Sequence, residues 1–274
     1  MNAVLKILCI GAILCGVALS VLNLYGLAKP LRPNDLTAEH LRFGAMDIAL
    51  TEDELLARLL IRENETPSAF SKRITLDIAK GIAHIHWAKY ESTKFHQLIP
   101  IWENWILYAM GLFSDIPEYK RYHFANLYKS IERGIGICGD ASMIMSQVLD
   151  NNGIPSKIVT FPGHVVVSAQ IDNQDFIFDP DFGVVIEYSL EQLNANPNLV
   201  SNAYSSVGHP ISQDSFFINT YGQDYQVWSG VDHFITKKYY FEKFAYLIKW
   251  PFPLLLIVLP FWVLTKNRNS NQAD

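Results

Sequence analysis

Charge is scarce in this sequence: 18% of its 274 residues are Asp, Glu, Lys or Arg, against about a quarter in an ordinary soluble chain. There is no basic excess either, since 22 Lys and Arg face 27 Asp and Glu, for a net charge of −5. A partner bound through its phosphate backbone is therefore excluded, and nucleic acid with it. Cysteine is sparse as well, with three residues, and no internal repeat or low-complexity stretch is visible. What is abundant is apolar: 50% of the residues are hydrophobic and 13% aromatic, too much for a disordered chain. The length allows one or two domains with a sizeable core.

The apolar excess sits at the two ends. Ile7 to Ala28 is a run of 22 residues without a charge, preceded by Lys6 and closed by Lys29, Pro30, Arg32 and Pro33. At about 1.5 Å per residue it can cross a hydrocarbon core of about 30 Å. A cleaved signal peptide is the rival reading, with small residues near 18–20 or 26–28. The run exceeds the usual apolar core of a signal peptide, which favours an uncleaved anchor. At the other end, Phe244 to Leu264 predicts a second spanning helix of 21 residues, with Trp250 and Trp262 at the interfaces and Lys249 snorkelling outward. Pro251, Pro253 and Pro260 would bend it.

The expected layout is an anchor over 1–28, a body over 29–243, a second membrane helix over 244–265 and a cytoplasmic tail over 266–274. Lys266 and Arg268 place that tail on the inside, and hence the body outside. The body holds 18 of the basic and 26 of the acidic residues, and its net charge of −8 would repel phosphate and anionic lipid. Two of the cysteines, Cys9 and Cys15, fall in the N-terminal run, so Cys138 is alone in the body and forms no disulfide there.

Thr51-Glu-Asp-Glu54 reads as a capping box opening a helix with Leu55, Leu56, Leu59 and Leu60 on one face, broken by Pro67. A second helix is predicted over 68–87, a third, aromatic-rich, over 100–113, and a fourth stretch over 119–131. Ala141, Ile144, Met145, Val148 and Leu149 follow helical spacing until Asn152-Gly153 stops it. Cys138 thus stands at a helix N-terminus, where unpaired N–H groups and the helix dipole favour a thiolate. Short strands follow. Lys157–Thr160 is β-branched; His164–Ile171 alternates, with His164 and Val166 on one face and Val165, Val167, Ala169 and Ile171 on the other. After a turn at Asp172-Asn173-Gln174, Asp175–Asp179 alternates again until Pro180 ends it. In such a hairpin His164 and Asp179 share the open end, within reach of a helix-terminal cysteine.

Cysteine at a helix start, histidine opening a strand and aspartate ending the next strand before proline together resemble the transglutaminase-like superfamily. The matching text is Gly136-Ile-Cys138-Gly-Asp-Ala141, Asn152-Gly-Ile-Pro-Ser-Lys157, Gly163-His164-Val and Phe178-Asp179-Pro180, and it covers about a fifth of the chain. The resemblance implies an α+β, papain-like core at about 68–190, with the cysteine helix packed on an antiparallel sheet. It implies Cys138 as nucleophile, His164 as general base and acid, and Asp179 as the group orienting the imidazole. The chemistry agrees: a thiol needs a base within reach, and the imidazole needs a carboxylate to fix its tautomer. Asp181, of the same strand parity, is the alternative third member. The Cys138 N–H would serve as one oxyanion donor, and Trp102 or Trp105 are open candidates for the second. Many family members carry an aromatic residue soon after the histidine, where this chain has Val165-Val166-Val167.

The expectation is a bacterial inner-membrane thiol enzyme facing the periplasm, held in the lipid by two helices. It would act through a thioester on amide bonds of peptides or envelope polymers, by hydrolysis or by transfer to an amine. The rival class is a catalytically silent membrane scaffold or binding module of envelope or polysaccharide assembly. No cofactor or metal is called for: His84, His86 and His96 read as separate, partly exposed histidines, because helix positions two apart face different ways.

Overall fold

A computed structural model describes residues 3–41, 49–85, 89–209, 212 and 215–270. In chain order its helices are α1 (Ala3–Gly26), α2 (Glu52–Leu56), α3 (Pro67–Gly81), α4 (Trp105–Phe113), α5 (Pro117–Lys120), α6 (Leu127–Arg133), α7 (Cys138–Asn151), α8 (Leu190–Ala195), α9 (Val200–Ser206), α10 (Phe216–Tyr221), α11 (Val231–Phe234), α12 (Thr236–Ile248) and α13 (Pro251–Ser270). The strands are β1 (Ala83–His84), β2 (Ile135–Gly136), β3 (Ser156–Phe161), β4 (His164–Ile171), β5 (Gln174–Asp179), β6 (Val184–Ile186) and β7 (Gln226–Trp228). The chain divides into two compact units. One comprises Met1–Leu31, Ser92–Tyr122 and Tyr240–Asp274; the other comprises Arg32–Glu91 and His123–Tyr239.

The first unit is helical. In α1 the buried positions Cys9, Gly16 and Asn23 recur every seven residues and form a seam against α13. Gly16 has to be glycine, because a Cβ there would lie 2.6 Å from the Pro253 carbonyl oxygen. Asn23 Nδ2 donates to the Lys249 carbonyl at 2.7 Å. The bend expected in the helix predicted over 244–264 falls near its start: α12 and α13 meet at 44° around Lys249 and Trp250. Pro251 causes the break, since its ring disfavours helical geometry at Trp250 and it has no N–H to continue the ladder. Pro253 falls harmlessly in the first turn of α13, and Pro260 lies inside it. Lys249 does not snorkel; it is buried and donates to the Glu103 carbonyl. Among the described residues α1 is long and apolar enough to cross a bilayer, and α12 with α13 passes only as a bent pair.

The second unit is α+β. Its sheet is antiparallel throughout, in the order β6-β5-β4-β3-β7. On one face α3 and α7 pack Phe70, Ile74, Ile78, Ile144, Met145 and Val148 against Val167, Ala169, Phe176 and Phe178. On the other face Val159, Val166 and Ile177 meet Leu193, Val200, Tyr204 and Tyr221 from the helices after β6. The β4–β5 turn is tighter than predicted. Ile171 pairs with Gln174, which leaves Asp172 and Asn173 as a two-residue loop at positive φ of 53° and 64°.

The helical stretches predicted before Cys138 are shorter than expected. The Thr51 capping box forms, with Thr51 N donating to Glu54 Oε2 at 2.8 Å, but α2 ends at Leu56 and Leu60 is exposed. The helix predicted over 68–87 starts at Pro67 under a Thr66 cap and stops at Gly81. Ala83–His84 then forms β1, paired in parallel with β2 immediately before Cys138. Residues 86–88 lie outside the described residues, as does the structural context of His86. Asn104, whose Oδ1 accepts from Ile106 N at 3.1 Å, sets the start of α4 later than the predicted Pro100.

Candidate functional site

Two local devices place the histidine and the cysteine. Pro162-Gly163 links β3 to β4 with Phe161 paired to His164, and Gly163 takes φ +81° as the third residue of a type II turn requires. His164 is therefore the first residue of β4. For the cysteine, Ile137 N donates to Asp140 Oδ2 at 3.0 Å, a side-chain cap that starts α7 at Cys138. Gly136 is needed for this, because a Cβ there would come 2.6 Å from the Asp140 Cβ. Asp140 is fully buried and also holds His123 Nδ1 at 2.7 Å and Arg133 at 3.5 Å. Burial opposes its charge, yet His123 and Arg133 outweigh that and keep its carboxyl below the usual range.

His164 and Asp179 share the strand parity of Val166 and Ile177, so they belong to the sheet face covered by α8–α10. Cys138 starts a helix on the opposite face. They meet at the open end of β4, as the sequence predicts. His164 Nε2 lies 2.7 Å from Asp179 Oδ2, with both residues buried. The Cys138 sulfur lies within 4.8 Å of a ring nitrogen of His164. Burial by itself would lower the His164 pKa; the Asp179 carboxylate and then Cys138 more than reverse this and hold it well above 6.5. Asp179 shows the converse: burial would raise it, but His164, Tyr204 and the Phe182 N–H keep it below 3.8.

All of the acceptor capacity of Asp179 is used. Oδ1 accepts from Asp181 N at 3.1 Å and Phe182 N at 3.3 Å, while Oδ2 accepts from His164 and from the Tyr204 hydroxyl. Tyr204 in turn lies 3.2 Å from the Tyr221 hydroxyl. Phe182, Phe216 and Phe217 surround the imidazole at ring distances of 5.8–6.2 Å and shield it from water. Tyr204, Phe216, Phe217 and Tyr221 were beyond sequence reasoning, because α9 and α10 carry no motif and lie far along the chain from Asp179. Asp181 takes a different partner, His84, whose Nε2 is 2.8 Å from Asp181 Oδ1. His84 is thus not a partly exposed histidine but a buried one, delivered by β1 beside the cysteine loop. His96 lies in the other unit, with Nδ1 2.7 Å from the Leu31 carbonyl. Trp102 and Trp105 also belong there, packed on His96 and Phe252.

Cys138, His164 and Asp181 each present a donor atom within 4.8 Å of the others. Thiolate, imidazole and carboxylate together suit Zn²⁺, with Asp179 behind the imidazole and His84 behind the carboxylate as outer supports. A cavity of about 590 Å³ lined by Lys157, Gln170, Asp175, Glu191 and Tyr225 contains none of these three residues. The chemistry available at the site is that of a thiol beside an imidazole whose far nitrogen is fixed by a buried carboxylate.

At the site a helix-terminal cysteine meets a strand-borne histidine–aspartate pair at the end of an antiparallel sheet, within an α+β fold. Residues 81–199 match the model of a family described as a transglutaminase-like domain. The chain carries a domain of the transglutaminase-like superfamily. No curated protein and no solved structure matches the chain. Tyr204 and Tyr221 lie beyond the matched stretch.

Proposed function

We propose that the protein is a membrane-anchored thiol enzyme that cleaves or exchanges amide bonds through a cysteine thioester. The observation that carries this is the fully hydrogen-bonded Asp179 behind His164, with the Cys138 sulfur at the start of α7 within 4.8 Å of an imidazole nitrogen. In this reading the Cys138 thiolate attacks the carbonyl carbon, and the Cys138 N–H faces the oxyanion. His164 then passes its proton to the departing amine, leaving a thioester on Cys138. Water or a second amine, deprotonated by His164, attacks that thioester and returns the thiol. Asp179 stays ionised and holds the ring. Asp181, paired with His84, is not the orienting carboxylate.

Anchoring rests on α1, which is apolar enough to span and is tied to α13 by the Gly16 contact and to Lys249 in the preceding bend by the Asn23 bond. Those contacts support an α1 kept in the mature protein rather than a cleaved leader. The proposed substrate is a peptide or envelope polymer, and the proposed address is the bacterial inner membrane with the second unit facing the periplasm. Labelling by iodoacetamide at neutral pH tests the chemistry: Cys138 reacts fast in the native chain and slowly in His164→Ala. A native Cys138 that reacts no faster than a free thiol refutes it and leaves a silent scaffold. A reporter fused after Asp274 tests the topology, with activity expected only for a cytoplasmic reporter; an external one refutes the orientation.

A further inference from the structure

Helix α4 reads Trp-Ile-Leu-Tyr-Ala-Met-Gly-Leu-Phe, without one charged residue, yet only Leu107 and Gly111 are buried. Those two, four apart, form its inner edge, where a Cβ on Gly111 would strike Leu98 and the Tyr119 carbonyl. The opposite side, and the turn beyond it, leaves Phe113 86% exposed, with Leu112 and Ile116 also open. Such a surface is costly in water.

The position of α4 within its unit says what covers it. Gly26, the last residue of α1, sits so close to the Trp102 carbonyl that a side chain would collide with it. Trp105 packs on Phe252, in the first turn of α13, at 5.6 Å. Lys249 donates to the Glu103 carbonyl. The start of α4 is thus fixed at the level where α1 ends and α13 begins. The neighbouring α12, joined through Tyr119 and Phe241 at 5.6 Å, exposes Tyr240, Phe244 and Leu247 at helical spacing and leads into the exposed apolar surface of α13. Each of α4, α12 and α13 thus exposes large apolar side chains.

We infer that α4 is an interfacial helix whose Leu112, Phe113 and Ile116 side is immersed in the lipid leaflet where α1 and α13 emerge. This rests on the reading of α1 as a membrane anchor. An immersed apolar helix face enters the boundary between headgroups and acyl chains by about 5–10 Å. The unit would then be held by a third element, which fixes its tilt and depth rather than leaving it on two tethers.

The test is an environment-sensitive fluorophore on single cysteines of the full chain in lipid vesicles. Three sites are compared: native Cys15 within α1, Phe113→Cys, and Asn173→Cys at an exposed turn, each with the remaining cysteines replaced by serine. Phe113 is too exposed for its replacement to unfold the chain. The expected result is blue-shifted emission at 113, quenched most by nitroxide lipids labelled near the headgroup, with Cys15 quenched by deep labels and 173 by none. A probe at 113 that matches 173 while Cys15 stays deep overturns the inference alone. A Cys15 probe that also matches 173 overturns the anchor reading and the inference together.

Discussion

Replacing Asp179 by asparagine changes one heavy atom, and its consequence follows from how the two carboxylate oxygens are used. The backbone N–H groups of Asp181 and Phe182 both point at Oδ1, so the amide oxygen of the variant takes that place. Its NH2 group then faces His164 Nε2 and the Tyr204 hydroxyl, where the wild type has an acceptor. Nε2 must accept instead of donate, the remaining ring proton moves to the nitrogen beside Cys138, and that nitrogen can no longer take the thiol proton. A hydrogen bond to a charged group is worth about 1.5–3 kcal/mol. At 1.36 kcal/mol per pKa unit, the thiolate–imidazolium pair falls about 10- to 150-fold at neutral pH. The assay is the second-order rate of Cys138 alkylation across pH, with the fold checked by circular dichroism. The rate should drop by that factor, and its alkaline limb, set in the wild type well above 6.5 by the raised His164, should move down. A folded variant with an unchanged rate and profile would show that Asp179 does not set the protonation of His164.

Further outcomes are expected. Tyr204→Phe removes one donor from the buried Asp179 and leaves the Tyr221 hydroxyl without that neighbour; unfolding by urea should show a loss of about 1–3 kcal/mol, and alkylation should slow less than in Asp179→Asn. The His164–Asp179 pair also sets a pH window for stability. The raised His164 contributes fully below 6.5 and is lost as pH rises through its folded value, while the lowered Asp179 contributes above 3.8 and is lost as pH falls through its own. Urea midpoints should therefore fall on both sides of that window in the wild type and flatten in Asp179→Asn. Zn²⁺ should slow alkylation of Cys138 and a chelator should restore it, with Asp181→Asn weakening the inhibition and the exposed Asp175→Asn leaving it unchanged.

The approach of His164 to Asp179 was legible because it depends on local rules. Strand alternation and the turn at Asp172-Asn173 set which residues share a face and an end. The Cys138 helix was legible for the same reason, from apolar spacing and the Asn152-Gly153 stop. What the sequence could not show were partners brought in by long-range packing. Tyr204 reaches Asp179 from α9, and His84 reaches Asp181 because the helix predicted through Trp87 stops at Gly81 and the chain turns into a strand. A two-residue strand has no periodicity of its own; its pairing with β2 decides it. In the C-terminal apolar run the prolines announced a bend, but hydropathy, continuous across Lys249 and Trp250, could not show that the backbone breaks at Pro251.

A thioester mechanism requires that Cys138 become acylated. The direct measurement is mass spectrometry of the full chain after brief exposure to p-nitrophenyl acetate, with the acetyl group located by peptide mapping. The expected product is an acetyl thioester on Cys138 that forms rapidly, is discharged by hydroxylamine, and is absent in Cys138→Ser and greatly reduced in His164→Ala. A native chain that releases nitrophenol no faster than Cys138→Ser and carries no acetyl group at Cys138 would contradict it.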